Sequence, residues 1–230
     1  MERVAIKNEA KRLLQGRWTN AVGAVFTFFV LADLVNYISY LIPFVGVVIG
    51  IAITSYFSLS FNKYCVKASE NTGRVKYSEC FLDAPTFFKT IGAELMVGLA
   101  LVIPFIIISI ILIIISPELE GFIFILFCLL VIIICILSIY ITLSFFTLPF
   151  IFIQEREIGV IDGIKKAINI SKGFKWKYFV FILSFTGWYL LAIITCGIGL
   201  LWLTPYYILS TYLFYKEMIK ESHQKTEENI

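Results

Sequence analysis

With 230 residues, 60% of them hydrophobic and only 15% charged, the chain has too few polar side chains to cover itself in water, because a soluble domain is usually about a quarter charged. A mean hydropathy of +0.91 and uncharged runs well beyond about 18 residues exclude an ordinary soluble domain and point to lipid as the solvent. The net charge is only +3, but Lys and Arg gather in residues 3–17, 63–89, 156–177 and 216–225 and are absent around Pro43, Pro117 and Gly197. Short loops rich in Lys and Arg stay in the cytoplasm, so this alternation predicts six spans with both termini inside.

Residues 2–15, ERVAIKNEAKRLLQ, place Ile6, Ala10, Leu13 and Leu14 on one side and Lys7, Lys11 and Arg12 elsewhere. That is the pattern of an amphipathic helix suited to the inner leaflet, ended by Gly16, with Trp18 at the headgroup level. From Arg17 to Lys63 the only charge is Asp33, an interval that fits two spans turning at Pro43 and Gly46. A polar inner loop follows with a turn at Asn71-Thr72-Gly73. The spacing then predicts a short helix from Ser78 that buries Phe81, Leu82 and Phe88 and is broken or restarted at Pro85.

Residues 91–116 form the third span, with Glu94 near its inner end and Pro104 placed to kink it. No charge lies between Glu120 and Glu155, a run longer than the roughly 30 Å hydrocarbon core, so the fourth helix is expected to break before Pro149. Residues 160–171 carry Val160, Ile161, Ile164, Ala167, Ile168 and Ser171 on one face and Lys165, Lys166, Asn169 and Lys172 elsewhere, a second basic helix for the inner leaflet. Spans over 177–195 and 199–215 close the membrane part, turning at Gly197 and Gly199, and 218–230 is a polar tail.

The expected fold is therefore all-α: a polytopic membrane protein with six transmembrane helices in three hairpins and inner-surface amphipathic helices. It forms a single membrane domain over 1–230. Alanine, five residues, glycine and a nearby tryptophan recur at Ala10–Gly16–Trp18 and Ala167–Gly173–Trp176. This suggests repeat units of about 1–66, 78–154 and 158–217. The alternative is that any surface helix before a hairpin looks this way.

The ending carries Gly173, Leu183-Ser184-Phe185, Gly187-Trp188, Thr195, Gly197-Ile198-Gly199, Trp202, Pro205-Tyr206 and Phe214-Tyr215. Together with the opening AKRLLQGRW, it resembles the bacterial integral-membrane family catalogued as domain of unknown function 975. The resemblance is specific at the two ends and looser in the middle. It implies a multi-span protein of the bacterial plasma membrane and transfers no activity, cofactor or catalytic residue.

Asp33 is the leading candidate for function. A charge at mid-bilayer costs at least about 2.5 kcal/mol, so such residues face a partner or a cavity. Asn36 and Tyr37 share its helix face at i+3 and i+4. It could bind a proton or cation or pair with a partner's basic residue; the structural alternative is a protonated acid bonded to Asn36. Glu94 either reaches the inner headgroups or faces the bundle and shares a proton with Asp33.

The tyrosines, among them Tyr37, Tyr64, Tyr206, Tyr212 and Tyr215, fall where an interfacial belt would. Cys65 and Cys80 are expected reduced, and Cys128 and Cys135 read as small apolar residues. The single histidine, His223, sits in the tail, and HExxH, GxSxG and Gly-rich nucleotide motifs are absent, so no catalytic residue, metal site or cofactor is expected. The expectation is a non-enzymatic protein whose partners are the bilayer and a lipid, peptide or membrane-protein partner, with no nucleic acid. The alternative is a small transporter or channel with Asp33 and Asn36 in its path.

Overall fold

A backbone immersed in lipid must satisfy its own N–H and C=O groups, and helices do this within one segment. The computed structural model describes residues 2–39, 45–70, 75, 79–115 and 120–227. Among these it has ten helices and no strand: α1 (Arg3–Leu14), α2 (Trp18–Ser39), α3 (Val45–Glu70), α4 (Ala84–Ile115), α5 (Glu120–Phe145), α6 (Leu148–Gln154), α7 (Val160–Ser171), α8 (Lys175–Leu183), α9 (Thr186–Ile194) and α10 (Leu200–Glu227). Three stretches of the described residues are long and apolar enough to cross a membrane, Ala84–Ile111, Ile125–Gln154 and Lys175–Ile194, and Trp18–Leu34 is a shorter apolar helix. The turn at Asn71-Thr72-Gly73, the residues Pro43, Pro117 and Ser78, and Tyr40 lie outside the described residues.

α10 is the axis of the molecule. α1, α2, α3, α7 and α9 all pack on it, and its Leu209, Tyr212, Phe214, Tyr215 and Met218 are fully or almost fully buried. Around it the core is aromatic: the Phe146 and Tyr178 rings stack with centroids 3.5 Å apart, and Phe214 lies 5.0 Å from Phe181. Tyr64, Tyr206, Tyr212 and Tyr215 belong to this core, so the interfacial belt expected of them is corrected. Near a span end an amphipathic ring suits the headgroup region and a packed interior equally well, and packing decides.

α4 and α5 behave differently. From Glu94 to Leu143 none of their described side chains is buried, and Leu99, Ile103, Ile106, Ile132 and Ile136 are about half exposed or more. In water, so large an apolar surface would be an association site; against acyl chains it costs nothing. α4 runs as one helix through Pro104. It begins at Ala84, because the Asp83 carboxylate accepts hydrogen bonds from the Thr86 amide (3.3 Å) and hydroxyl (2.7 Å) while Pro85 occupies the first turn, where no amide is needed. Leu82 is buried there, whereas Phe81 and Phe88 are exposed, which corrects their expected burial.

The long uncharged run does break before Pro149. Phe146-Thr147 separates α5 from α6, and α6 buries Leu148, Phe150, Ile151 and Phe152 within the protein. The excess apolar length thus goes into core, not bilayer. α7 buries Gly163, Ala167 and Ser171, one row of small residues, with Gly163 against Phe152 of α6; Ile161, on the apolar face read for the inner leaflet, is 59% exposed. A Cβ added at Gly92, Gly98 or Gly187 would meet no neighbour within 4 Å, so these glycines permit no close helix approach.

α1 and α7 end in the same elbow. Each is 12 residues long; each is followed by an extended residue, Gln15 or Lys172, and then by a glycine in the left-handed region, Gly16 at φ +73 and Gly173 at φ +80. The hydrogen bonds repeat as well: the amides of Arg17 and Phe174 donate to Leu14 and Ser171, and those of Ala21 and Tyr178 donate to Arg17 and Phe174. Ala10 and Ala167 are both completely buried.

α1 buries Ile6, Ala10 and Leu14, but it does so against α10. It runs lengthwise beside α8 and α9, with Lys7 at the level of Ser184 and Lys11 at the level of Trp188. Its apolar face is spent on protein packing instead of the inner leaflet.

Candidate functional site

α3 carries Thr54, Ser58 and Asn62 at four-residue steps, which puts them in one row on a helix otherwise rich in apolar residues. Two clefts open along this row. One, of about 260 Å³, lies between α2, α3 and α10 and is lined by Phe28, Asp33, Thr54, Ser58, Phe61 and Thr204, among others. The other, of about 300 Å³, is lined by Thr54, Ser58, Asn62, Glu94 and Pro149.

Thr54 and Ser58 line both clefts, so α3 stands between Asp33 on one side and Glu94 on the other. The sequence offered no distance between the two carboxylates; the fold puts them on adjoining clefts. Phe28 packs against Phe57 at 5.8 Å and Phe61 at 6.1 Å, making the wall beside Asp33 aromatic. No described side chain hydrogen-bonds or ion-pairs with Asp33 or Glu94. The near part of α4 is fixed instead through Lys89, which donates to the Arg156 carbonyl at 2.6 Å.

A carboxylate among aromatic faces and hydroxyls can accept a proton, a cation or a hydrogen-bond donor. Tyr37 is not gathered into this arrangement; it is 73% exposed. Asn36 lies on α2, and its side chain is outside the described residues. The residues sequence reasoning passed over are Thr54, Ser58, Asn62 and Thr204. The signal for the first three was their helical spacing within an uncharged interval.

A second arrangement of polar groups ties the base together. Tyr212 donates to Glu70 at 2.9 Å and accepts from Gln154 at 2.8 Å, joining α10, α3 and α6. Lys63, 8% exposed, donates to the Phe81 carbonyl at 2.7 Å, and Lys166 pairs with Glu155. These groups hold helix ends and leave the clefts open.

Fold and clefts together define an all-helical protein with apolar helices of membrane-spanning length and, among them, clefts that carry a carboxylate and hydroxyls. The chain belongs to the family described as Protein of unknown function (DUF975), which matches residues 1–222. No curated protein and no solved structure matches it.

Proposed function

We propose that this chain is a multi-span protein of the bacterial plasma membrane that binds another membrane component without chemical turnover. Its apolar helices of spanning length support residence in the bilayer. The observation that carries the binding reading is the Asp33 cleft. A carboxylate that no described side chain neutralises, beside Phe28 and Phe61, suits a cationic group presented from within the membrane. An amine-headed lipid, a basic peptide or a basic side chain of a partner membrane protein would each supply it.

The test is purification in mild detergent followed by mass spectrometry of what stays bound, for the parent chain and Asp33→Asn. The expected result is a bound species retained by the parent and lost from the variant at unchanged melting temperature. Equal retention by both would remove Asp33 from recognition.

A second reading is a small carrier, favoured by the sharing of Thr54 and Ser58 between the two clefts. A proton or cation moving between Asp33 and Glu94 would follow that row. Reconstituted Asp33→Asn should then lose coupled flux while keeping its fold, and undiminished flux would exclude the coupling role.

A further inference from the structure

Arg3, Lys7 and Lys11 follow one another at four-residue steps and so form a single row on α1, and Gln15 stands just past its end. The fold lays this row along aromatic side chains of the last hairpin. The Lys7 ammonium sits 4.0 Å from the centre of the Phe185 ring and donates to the Ser184 carbonyl at 2.8 Å. The Lys11 ammonium lies 5.8 Å from the Trp188 ring and 5.6 Å from Tyr206.

Beyond Lys11 the row opens into a cleft of about 480 Å³, walled by Lys11, Gln15, Trp18, Trp188, Trp202 and Tyr206 over a floor that includes Leu191 and Leu203. Three of the protein's four tryptophans meet here. Trp188 and Trp202 are about half exposed, as rings are that face both an apolar floor and a wet rim.

Charge decides what such a cleft accepts. An aromatic box alone would suit a quaternary ammonium. Here Lys11 already lies toward the ring faces, and a second cation would meet its repulsion. No described carboxylate ion-pairs with Lys7 or Lys11, since the acidic residue of this helix, Glu9, pairs with Arg12 at 2.7 Å. Burial holds the Lys7 ammonium below its usual pKa, and the charges of Lys11 and Arg3 add to that, so the row is an uncompensated positive field. The volume falls in the range of ordinary ligand sites, and the lining is apolar apart from the ammonium and one amide.

We infer that the cleft between α1 and the α9–α10 turn binds an anionic phospholipid, with its phosphate on Lys11 and Gln15 and the start of an acyl chain on Leu191, Leu203 and the tryptophan faces. This site is separate from the Asp33 cleft and stands whether or not that cleft holds a ligand.

The experiment uses the full chain in nanodiscs of phosphatidylcholine doped with a minor fraction of lipid carrying brominated acyl chains, which quench tryptophan on contact. Brominated phosphatidylglycerol should quench more strongly than brominated phosphatidylcholine at equal doping. Lys11→Gln should weaken that preference about fivefold, Lys11→Arg should restore it, and Lys165→Gln, the same charge loss on an exposed site of α7, should leave it intact. Added inorganic phosphate should not compete, because it lacks the chain. Equal quenching by the two lipids in the parent, or an equal loss of preference in Lys165→Gln, would overturn the proposal. So would competition by inorganic phosphate, which would make the site one for the free anion. Circular dichroism and melting of each variant separate loss of binding from loss of fold, and if Lys11→Gln unfolds, Gln15→Leu must weaken the preference in its place or the proposal falls.

Discussion

Tyr212 on α10 donates its hydroxyl proton to the Glu70 carboxylate 2.9 Å away, at the end of α3, although its ring is completely buried. The ring lies 5.4 Å from Phe150 and 6.2 Å from Tyr215. Tyr212→Phe keeps the ring and removes the hydroxyl. Glu70 and Gln154 are exposed and can turn to water, so the cost should be only about 1 kcal/mol. Tyr212→Ala empties the site and should cost about 3–5 kcal/mol. Denaturation in mixed detergent micelles compares the two, and equal costs would mean that the hydrogen bonds, not the ring, hold the base.

Gly163 fixes how closely α7 approaches α6. A Cβ built there would stand 2.6 Å from the edge of the Phe152 ring, which is itself 1% exposed and has no room to retreat. Gly163→Ala should therefore destabilise by about 1–3 kcal/mol despite alanine's better helix propensity. Phe152→Leu should recover part of the loss when combined with it. A stabilised single variant would show that the two helices part easily.

Asp83 caps α4, and its carboxyl pKa is set by opposing effects. Burial raises it, but the bonds from Thr86 and the backbone and the nearby Arg156 together hold it below its ordinary 3.8. A depressed folded-state pKa means that the stabilisation is fully present above that ordinary value and is lost as pH falls through the lower, folded-state one. Asp83→Ala should cost about 1 kcal/mol at pH 7, and the gap to the parent should close in strong acid. A gap independent of pH would mean that the charge contributes nothing.

Cys196 gives a direct test of topology. It lies exposed in the turn between α9 and α10 at φ +51, whereas Cys65 and Cys80 are buried. Cys128 and Cys135 sit on α5 within an apolar stretch of membrane-spanning length, out of reach of a reagent that cannot enter the bilayer. In the six-span topology a membrane-impermeant maleimide should label intact cells, and Cys196→Ser should abolish the labelling. Labelling only after permeabilisation would put this turn inside and mean that α8 and α9 do not cross.

Local features were largely legible in the sequence. The helices over Arg3–Leu14 and Val160–Ser171, the glycine elbows after them and the break before Pro149 all follow from caps, glycine and proline, which act over one or two turns. What could not be read was which apolar residues face protein and which face lipid. In water the two classes differ in polarity; in a membrane Leu209 and Ile132 are equally apolar, yet one is 1% exposed and the other 53%. The same blindness hid Tyr212 and Tyr215 in the core and the small residues at Gly163, Ala167 and Ser171 on which α7 packs. Asp33 was found because a charge stands out in an apolar run. Thr54, Ser58 and Lys11 needed the fold, because what matters is which helix each of them faces.

The packing of α1 on α10 has a consequence for how the protein is made. α1 leaves the ribosome before α2–α9, and α10, the helix that covers Ile6, Ala10 and Leu14, leaves after them. Throughout synthesis that apolar face has no protein partner, and a basic amphipathic helix in that state rests on the membrane surface. The placement its sequence predicts is thus the one expected of it before α10 is made, and docking on α10 then covers its apolar face. Truncation of the chain before Leu200 should leave α1 at the surface and open to protease, with α1 waiting for α10.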